Sequence, residues 1–268
     1  METLDRALRT DILEAIEPDV VKQIISLKPF CQIDGAFNVR DLSDAKYTGS
    51  KSGYIFRSGS LERLTEKGKQ DIDDLGIKTV VNLRSQKDFA NNPDPVIDGV
   101  DILLAPTDPD ASKGMRWEDC TFMDLWMLEE DEAFKKQCLC TVLGHIWDCP
   151  DRPFLLHCNA GKDRTGVTAA LILALAGLPS DYISRDYALT RIGVELVRDF
   201  LLGKLTGGKE LDLRNIPAFR DIAGCTADSM ASLLQKIEER HGGVETYVKQ
   251  VLCYSDHDVD QMRASLRG

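Results

Sequence analysis

The sequence predicts an α/β fold: a mainly parallel central sheet flanked by helices, with a helical elaboration at the N-terminus. Three observations predict it. Short apolar runs such as Ile77–Leu83 and Phe154–Leu156 alternate with longer segments of helical period. The chain has 268 residues, 43% of them hydrophobic, which is enough to bury one large core or two small ones. One strand–turn–helix unit, residues 154–178, gathers polar residues at the carboxyl end of its strand, where open parallel sheets bind ligands.

Taken in order, Leu4, Leu8, Ile12, Leu13 and Ile16 recur at a helical spacing, which predicts a helix over residues 4–16. Pro18 opens a second helix, Asp19–Leu27, and Pro29 follows it. These helices form an N-terminal extension, residues 1–30, packed on a principal domain of residues 31–268. Phe37–Leu42 reads as extended and Tyr54–Ser58 as a strand. Thr65 has the oxygen to cap a helix that runs to Leu75 and ends at Gly76. Ile77–Leu83 is a buried parallel strand bearing Arg84-Ser85 at its end. Asp101–Leu104 is a short strand. Thr107–Gly114 is a polar loop with Asp108 and Asp110. Trp117–Trp147 is long, amphipathic and mostly helical. Phe154–Leu156 is a strand and Val167–Leu178 a buried helix. Pro179 and Asp181 restart a helix that carries Asp186, Tyr187 and Thr190. Gly203–Pro217, with Gly207-Gly208, is the segment expected to be mobile. Thr226 caps a helix that runs to Arg240 and stops at Gly242-Gly243, and two short helices finish the chain.

The charge balance is 33 basic against 44 acidic residues, a net charge of −11. That argues against nucleic acid and against a broad electrostatic membrane anchor, while leaving room for a local basic pocket. The longest apolar run, residues 167–178, is too short to span a bilayer. The charged start, Met1–Arg9, lacks a secretory apolar core. Eight irregularly spaced cysteines in a chain of this size predict reduced thiols in a cytoplasmic setting, not a disulfide framework. Cys138 and Cys140 have no matching pair nearby, so no metal and no cofactor is expected.

The chemistry concentrates in His157-Cys158-Asn159-Ala160-Gly161-Lys162-Asp163-Arg164-Thr165-Gly166. A cysteine ends a strand, and six positions later an arginine begins a helix. A helix start presents unpaired N–H groups and partial positive charge, which favour an anion. A tight turn adds a nest of N–H groups, and Gly161 supplies the positive φ such a turn needs. The dipoles that hold phosphate also favour a sulfur anion at Cys158. Arg164 offers a planar fork for two phosphate oxygens. The turn from Asn159 and Ala160 through Gly161 and Lys162 to Thr165 and Gly166 is the expected phosphate-binding surface. A nucleotide-binding Walker loop is excluded, because it needs glycine at position 156 and serine or threonine at 163, where Leu156 and Asp163 stand.

This stretch resembles the signature of cysteine-dependent protein tyrosine phosphatases. Its Gly161-Lys162-Asp163-Arg164-Thr165-Gly166 ending is similar to an atypical bacterial and fungal branch that acts on phosphotyrosine, other phosphoresidues or phosphoinositides. Weaker likenesses are Asn38-Val39-Arg40-Asp41-Leu42, the run from Arg57 to Ser85, and Ile237–Gly242. One departure is Asn82, where the family commonly has aspartate. The resemblance implies a phosphatase-like catalytic domain over residues 31–268, a phosphocysteine intermediate and a phosphorylated protein or phosphoinositide as substrate. It makes Cys158 the nucleophile, Arg164 the transition-state clamp and Asp163 the general acid. Other phosphatases place that acid on a separate, earlier loop, which leaves Asp108 and Asp110 as alternatives. His157 is expected to orient the loop, and Thr165 to donate to the departing sulfur. Lys162 adds positive charge at the rim, which suits a doubly phosphorylated lipid headgroup. Arg40, Asp41, Arg57 and Arg84 are expected to brace the site through ion pairs. The rival readings are a weakly active phospho-ligand binding module and a sulfurtransferase.

Overall fold

The computed structural model describes residues 2–43, 51–105, 133–207, 212–216 and 219–267. The strands are β1 (Arg40–Asp41), β2 (Ile55–Ser58), β3 (Thr79–Asn82), β4 (Asp101–Leu104) and β5 (Phe154–His157). They form one sheet in the order β1-β2-β5-β3-β4. Every neighbouring pair is parallel except β1–β2. The expected mainly parallel sheet is therefore what forms. β5 is central, with Ser58 on one side and Asn82 on the other, both in register with His157. Its residues are buried on both faces, and that is why its sequence is a continuous apolar run without alternation.

The helices are α1 (Glu2–Leu8), α2 (Pro18–Ile25), α3 (Glu66–Asp74), α4 (Gln86–Asn91), α5 (Ala133–Asp148) and α6 (Asp163–Leu175), then α7 (Ser180–Gly193), α8 (Arg198–Leu205), α9 (Phe219–Ala223), α10 (Ala227–His241), α11 (Val244–Gln250) and α12 (Asp256–Arg267). One sheet face sends Phe56, Val80 and Leu155 against Ile72 of α3. The other sends Ile55, Val81, Phe154 and Leu156 into a larger core shared with α5, α6, α7, α10, α11 and α12. Each such side chain contributes about 1.5–3 kcal/mol on burial, and this two-sided core fixes where β5 ends. Thr65 accepts from the Gly68 N–H at 3.1 Å and Thr226 from the Ser229 N–H at 3.1 Å, so both anticipated caps form. Among the described residues, no helix is long and apolar enough to cross a membrane.

Some boundaries differ from expectation, each for a physical reason. The first helix stops at Leu8 and does not continue to Ile16. The Asp11 side chain accepts from the Leu13 N–H at 2.9 Å, a local turn that competes with helix. The carbonyls of Thr10, Asp11 and Glu14 accept from the Arg191 guanidinium at 3.0, 3.1 and 2.6 Å, and Glu195 accepts the Ile16 N–H at 2.8 Å. A buried cation on α7 thus takes the place of helical N–H donors. Ala7, Ile16, Val21, Ile24 and Phe30 then pack on Leu189 and Ile192 of α7. In Phe37–Leu42 only Arg40 and Asp41 pair as strand, because Asn38 sits at φ +57°. The helix expected over residues 167–178 begins earlier, at Asp163, and ends at Leu175. Asp108 and Asp110, with the rest of the Thr107–Gly114 loop and the first half of Trp117–Trp147, lie outside the described residues. So does the middle of Gly203–Pro217.

Candidate active site

The loop between β5 and α6 is built by pinning its carbonyls. His157 O accepts from the Leu83 N–H at 2.8 Å and Asn159 O from the Ser60 N–H at 3.0 Å. Asn38 Nδ2 donates to Ala160 O at 3.2 Å and Gly161 O at 3.1 Å. Arg57 Nη2 donates to Gly161 O at 2.7 Å and Lys162 O at 3.4 Å. Lys162 O also accepts the Gly166 N–H at 2.7 Å. In a planar trans peptide the next N–H points opposite the carbonyl. The N–H groups of Ala160, Gly161, Lys162 and Asp163 are therefore turned away from Ser60, Asn38 and Arg57, as an anion cradle requires. Gly161 is obligatory here. Its φ is +65°, and a Cβ would stand 2.3 Å from the Ser58 carbonyl oxygen.

Cys158 lies just past the end of β5 and is 2% exposed. Arg164 is in the first turn of α6, its Nη1 donating to Leu83 O at 3.3 Å and lying 3.8 Å from the Asp88 carboxylate. Burial pushes the Cys138 thiol up to about 12, with Arg164 opposing. Among the described residues, no group of three or more His, Cys, Asp or Glu side chains is placed to hold a metal ion.

The other loop residues divide by environment. Asp163 opens α6, one-third exposed, its carboxylate 3.2 Å from Lys162 Nζ. Lys162 is 7% exposed, and its ammonium donates to the carbonyls of Ile222 and Gly224. It faces the 222–224 segment, which differs from the rim position expected of it. The Thr165 hydroxyl is buried and has no hydrogen-bond partner among the described residues, so the expected bond to the Cys158 sulfur is not made here. Gly166 has a packing reason: a Cβ there would stand 2.8 Å from the Tyr187 ring, so glycine lets α7 approach α6.

Two buried charge clusters stand behind the loop. In one, Asp186 of α7 accepts from Arg40 Nε at 2.7 Å and Arg57 Nη1 at 2.5 Å. Arg40 also donates to Asn38 Oδ1 at 2.5 Å and Thr190 Oγ1 at 3.0 Å. Burial lowers the Arg40 pKa to about 10, and repulsion from Arg57 adds to this against the pull of Asp186. Burial pushes the Asp186 carboxyl up, but the two arginines outweigh it and hold the group below the usual carboxylate range. In the other cluster, His157 Nε2 lies 3.1 Å from Asp94, and His157 Nδ1 lies 3.3 Å from Cys158 O. Asp94 also accepts from Asn82 Nδ2 at 2.6 Å and Arg84 Nη2 at 2.8 Å, while Arg84 Nη1 reaches Glu62 at 2.9 Å. Burial pushes Asp94 up too, but His157, Arg84 and Asn82 bring it below the usual range. The asparagine at 82 now has a reason. Its amide donates to Asp94, whereas a carboxylate in its place would repel one.

The bracing role expected of Arg40, Arg57 and Arg84 is what the ion pairs display; Asp41 instead accepts from the N–H groups of Ser43 and Gly53. Sequence reasoning placed Asp186 and Thr190 on a helix and Asn38 in a motif but gave them no partner, and it missed Asp94 and Arg191 outright.

The class that a cysteine-ended strand, a pinned loop and an arginine-opened helix define is the cysteine-dependent phosphatases. The chain belongs to the tyrosine phosphatase family, whose model matches residues 31–268. It is 29% identical to the triple specificity protein phosphatase PtpB of Mycobacterium tuberculosis over 88% of this chain and 99% of that one. It is 28% identical to a tyrosine-protein phosphatase of Nostoc commune over 87% of this chain and 81% of that one. A structure of TpbA from P. aeruginosa in complex with pTyr is 19% identical, covering 56% of this chain and 78% of that one with a TM-score of 0.34, too partial a likeness to add to the assignment.

Proposed function

We propose that the chain removes phosphate from tyrosine and other phosphorylated residues of proteins, without a metal, through a phosphocysteine intermediate. The observation that carries this is Cys158 at the start of a loop whose carbonyls are held outward one after another. The Cys158 sulfur attacks phosphorus and the ester P–O bond breaks. Asp163 gives its proton to the departing oxygen. The loop N–H groups from Asn159 onward and the Arg164 fork hold the equatorial oxygens. Water then attacks the phosphocysteine and gives a proton to Asp163, the P–S bond breaks, and phosphate leaves. The unpartnered Thr165 hydroxyl is available to donate to the leaving sulfur. The excess cation of the Arg40–Arg57–Asp186 cluster favours a dianion in front of it.

Asp163 is preferred as the acid because it lies on the loop itself and is partly exposed. The phosphoinositide alternative drew on a rim lysine, and Lys162 is instead committed to the 222–224 carbonyls. Residues 1–30 are read as an extension of the catalytic domain, 31–268. The described cysteines are all free, which supports a cytoplasmic setting.

Cys158→Ser is expected to abolish turnover of p-nitrophenyl phosphate while vanadate still binds. Retained turnover contradicts the covalent route, and absent turnover in the wild type leaves only a binding module. Asp163→Asn is expected to slow poor leaving groups more than good ones. Equal loss on both transfers the acid role to Asp108 or Asp110. Chelators are expected to leave the rate unchanged, and a strict metal requirement discards the mechanism.

A further inference from the structure

The geometry points to a peptide-reading rim beside the cradle: Arg63 and Lys204, both stacked on Phe200, receive an acidic side chain two or three residues from the phosphorylated tyrosine. This rests on the phosphatase reading and adds to it a substrate preference.

The Arg63 guanidinium lies 4.4 Å from the Phe200 ring centroid and the Lys204 ammonium 4.7 Å. The ring is 42% exposed. In a chain of net charge −11, two cations share this one ring. Arg63 makes no ion pair among the described residues. The carboxylate near Lys204 is Glu62, 3.9 Å away, and the other oxygen of Glu62 is taken by Arg84 at 2.9 Å. Stacking on an aromatic ring holds a cation in place without neutralising it, so its attraction for an incoming anion remains.

The position is right for substrate. Arg63 follows β2 on the same end of the sheet as Cys158. Ser60, three residues before it, donates its N–H to Asn159 O of the cradle. Glu62 links Lys204 to Arg84, which shares Asp94 with His157. Three residues span at most about 10 Å, so Arg63 stands within roughly that distance of Ser60. An extended peptide covers about 7–10 Å in two or three residues, which matches that reach. A groove of ≈ 310 Å³ continues from Arg63 and Phe200 past Leu196 to Pro18 and Val21, and its two carboxylates, Glu195 and Asp199, are paired with Arg191 and Arg198. Leu196 is 60% exposed. A polypeptide, with acidic and apolar side chains in sequence, suits this combination of cations and apolar surface, whereas an inositol headgroup has no apolar part to place there.

The test uses the full chain. Affinities of fluorescent phosphotyrosine peptides flanked by glutamate, alanine or lysine are measured on Cys158→Ser protein, alone and with Arg63→Glu, Lys204→Glu or both. Turnover of p-nitrophenyl phosphate is measured on the same rim variants with Cys158 intact, and Arg63→Lys serves as the conservative control. The double reversal is expected to weaken the glutamate-flanked peptide about tenfold and to strengthen the lysine-flanked one, with aryl phosphate turnover unchanged and Arg63→Lys like the wild type. Equal effects on all three peptides, no effect, or a loss confined to a soluble phosphoinositide overturns the proposal. Wild-type protein that binds these peptides selectively yet does not turn over aryl phosphate defeats the phosphatase reading and leaves the rim standing. Turnover without selectivity defeats the rim alone.

Discussion

The two charge clusters behind the cradle are built in opposite ways. Beside α7, two guanidiniums, Arg40 and Arg57, share one carboxylate, Asp186. Beside β3, one guanidinium, Arg84, lies between two carboxylates, Asp94 and Glu62, with Asn82 and His157 completing the set. The first cluster touches the loop through Gly161 O. Among the described residues, the second reaches it through His157. An excess of buried cation is thus placed beside the loop proposed to bind an anion, and the carboxylates behind the residue that precedes Cys158, the proposed nucleophile. On the proposed function, the imbalance of the first cluster is complementary to a bound phosphate.

The largest expected effect breaks or confirms this asymmetry. Asp186→Asn leaves two buried guanidiniums facing each other and is expected to cost about 3–5 kcal/mol of stability. Asp94→Asn leaves Arg84 still paired with Glu62 and is expected to cost about 1–3 kcal/mol, as for a buried hydrogen-bonded group. Denaturant unfolding of both variants decides it, and equal costs would mean that the two clusters are equivalent.

Acid titration gives the next effect. Asp94 and Asp186 are both held below their ordinary carboxylate range in the folded chain. A depressed folded pKa contributes stability above the unfolded value of about 3.9, and that contribution is lost as pH falls through the lower folded value. Unfolding free energy is therefore expected to fall as pH drops from about 5 to about 2. The gap between wild type and Asp94→Asn narrows in the same window. A gap that stays constant to the acid end contradicts the ion-paired state of Asp94.

Thr165 belongs to neither cluster and gives the smallest effect. Its buried hydroxyl lacks a partner among the described residues. Thr165→Val is expected to raise stability by about 1 kcal/mol while slowing hydrolysis of the phosphoenzyme. A loss of stability would show that the hydroxyl is satisfied in the folded chain.

Much of the site is local in sequence and was legible there. Strand end, turn and helix start fall within Phe154–Gly166, and both Thr65 and Thr226 announce their helices through an oxygen three residues before the N–H they cap. What was hidden is long-range. Arg40 and Asp186 are 146 residues apart, and His157 and Asp94 are 63 apart. Periodicity reports which face of an element is buried, not which charge it meets. Asp94 sits in a Pro-bounded irregular segment, Pro93-Asp94-Pro95, whose composition reads as an ordinary surface loop. The end of α1 at Leu8 was misjudged for a related reason: the apolar period continues to Ile16, but the donors that satisfy those carbonyls come from Arg191.

The central claim is that a sulfur takes the phosphate. Rapid denaturing quench of the wild type with a ³²P-labelled phosphotyrosine peptide, followed by proteolysis at neutral to alkaline pH and mapping of a label that is stable in base and lost in mild acid, tests it most directly. The account predicts one labelled peptide, carrying phosphate on Cys158 and absent from Cys158→Ser. Label on another residue, or steady turnover with no labelled enzyme and no loss in Cys158→Ser, would contradict it.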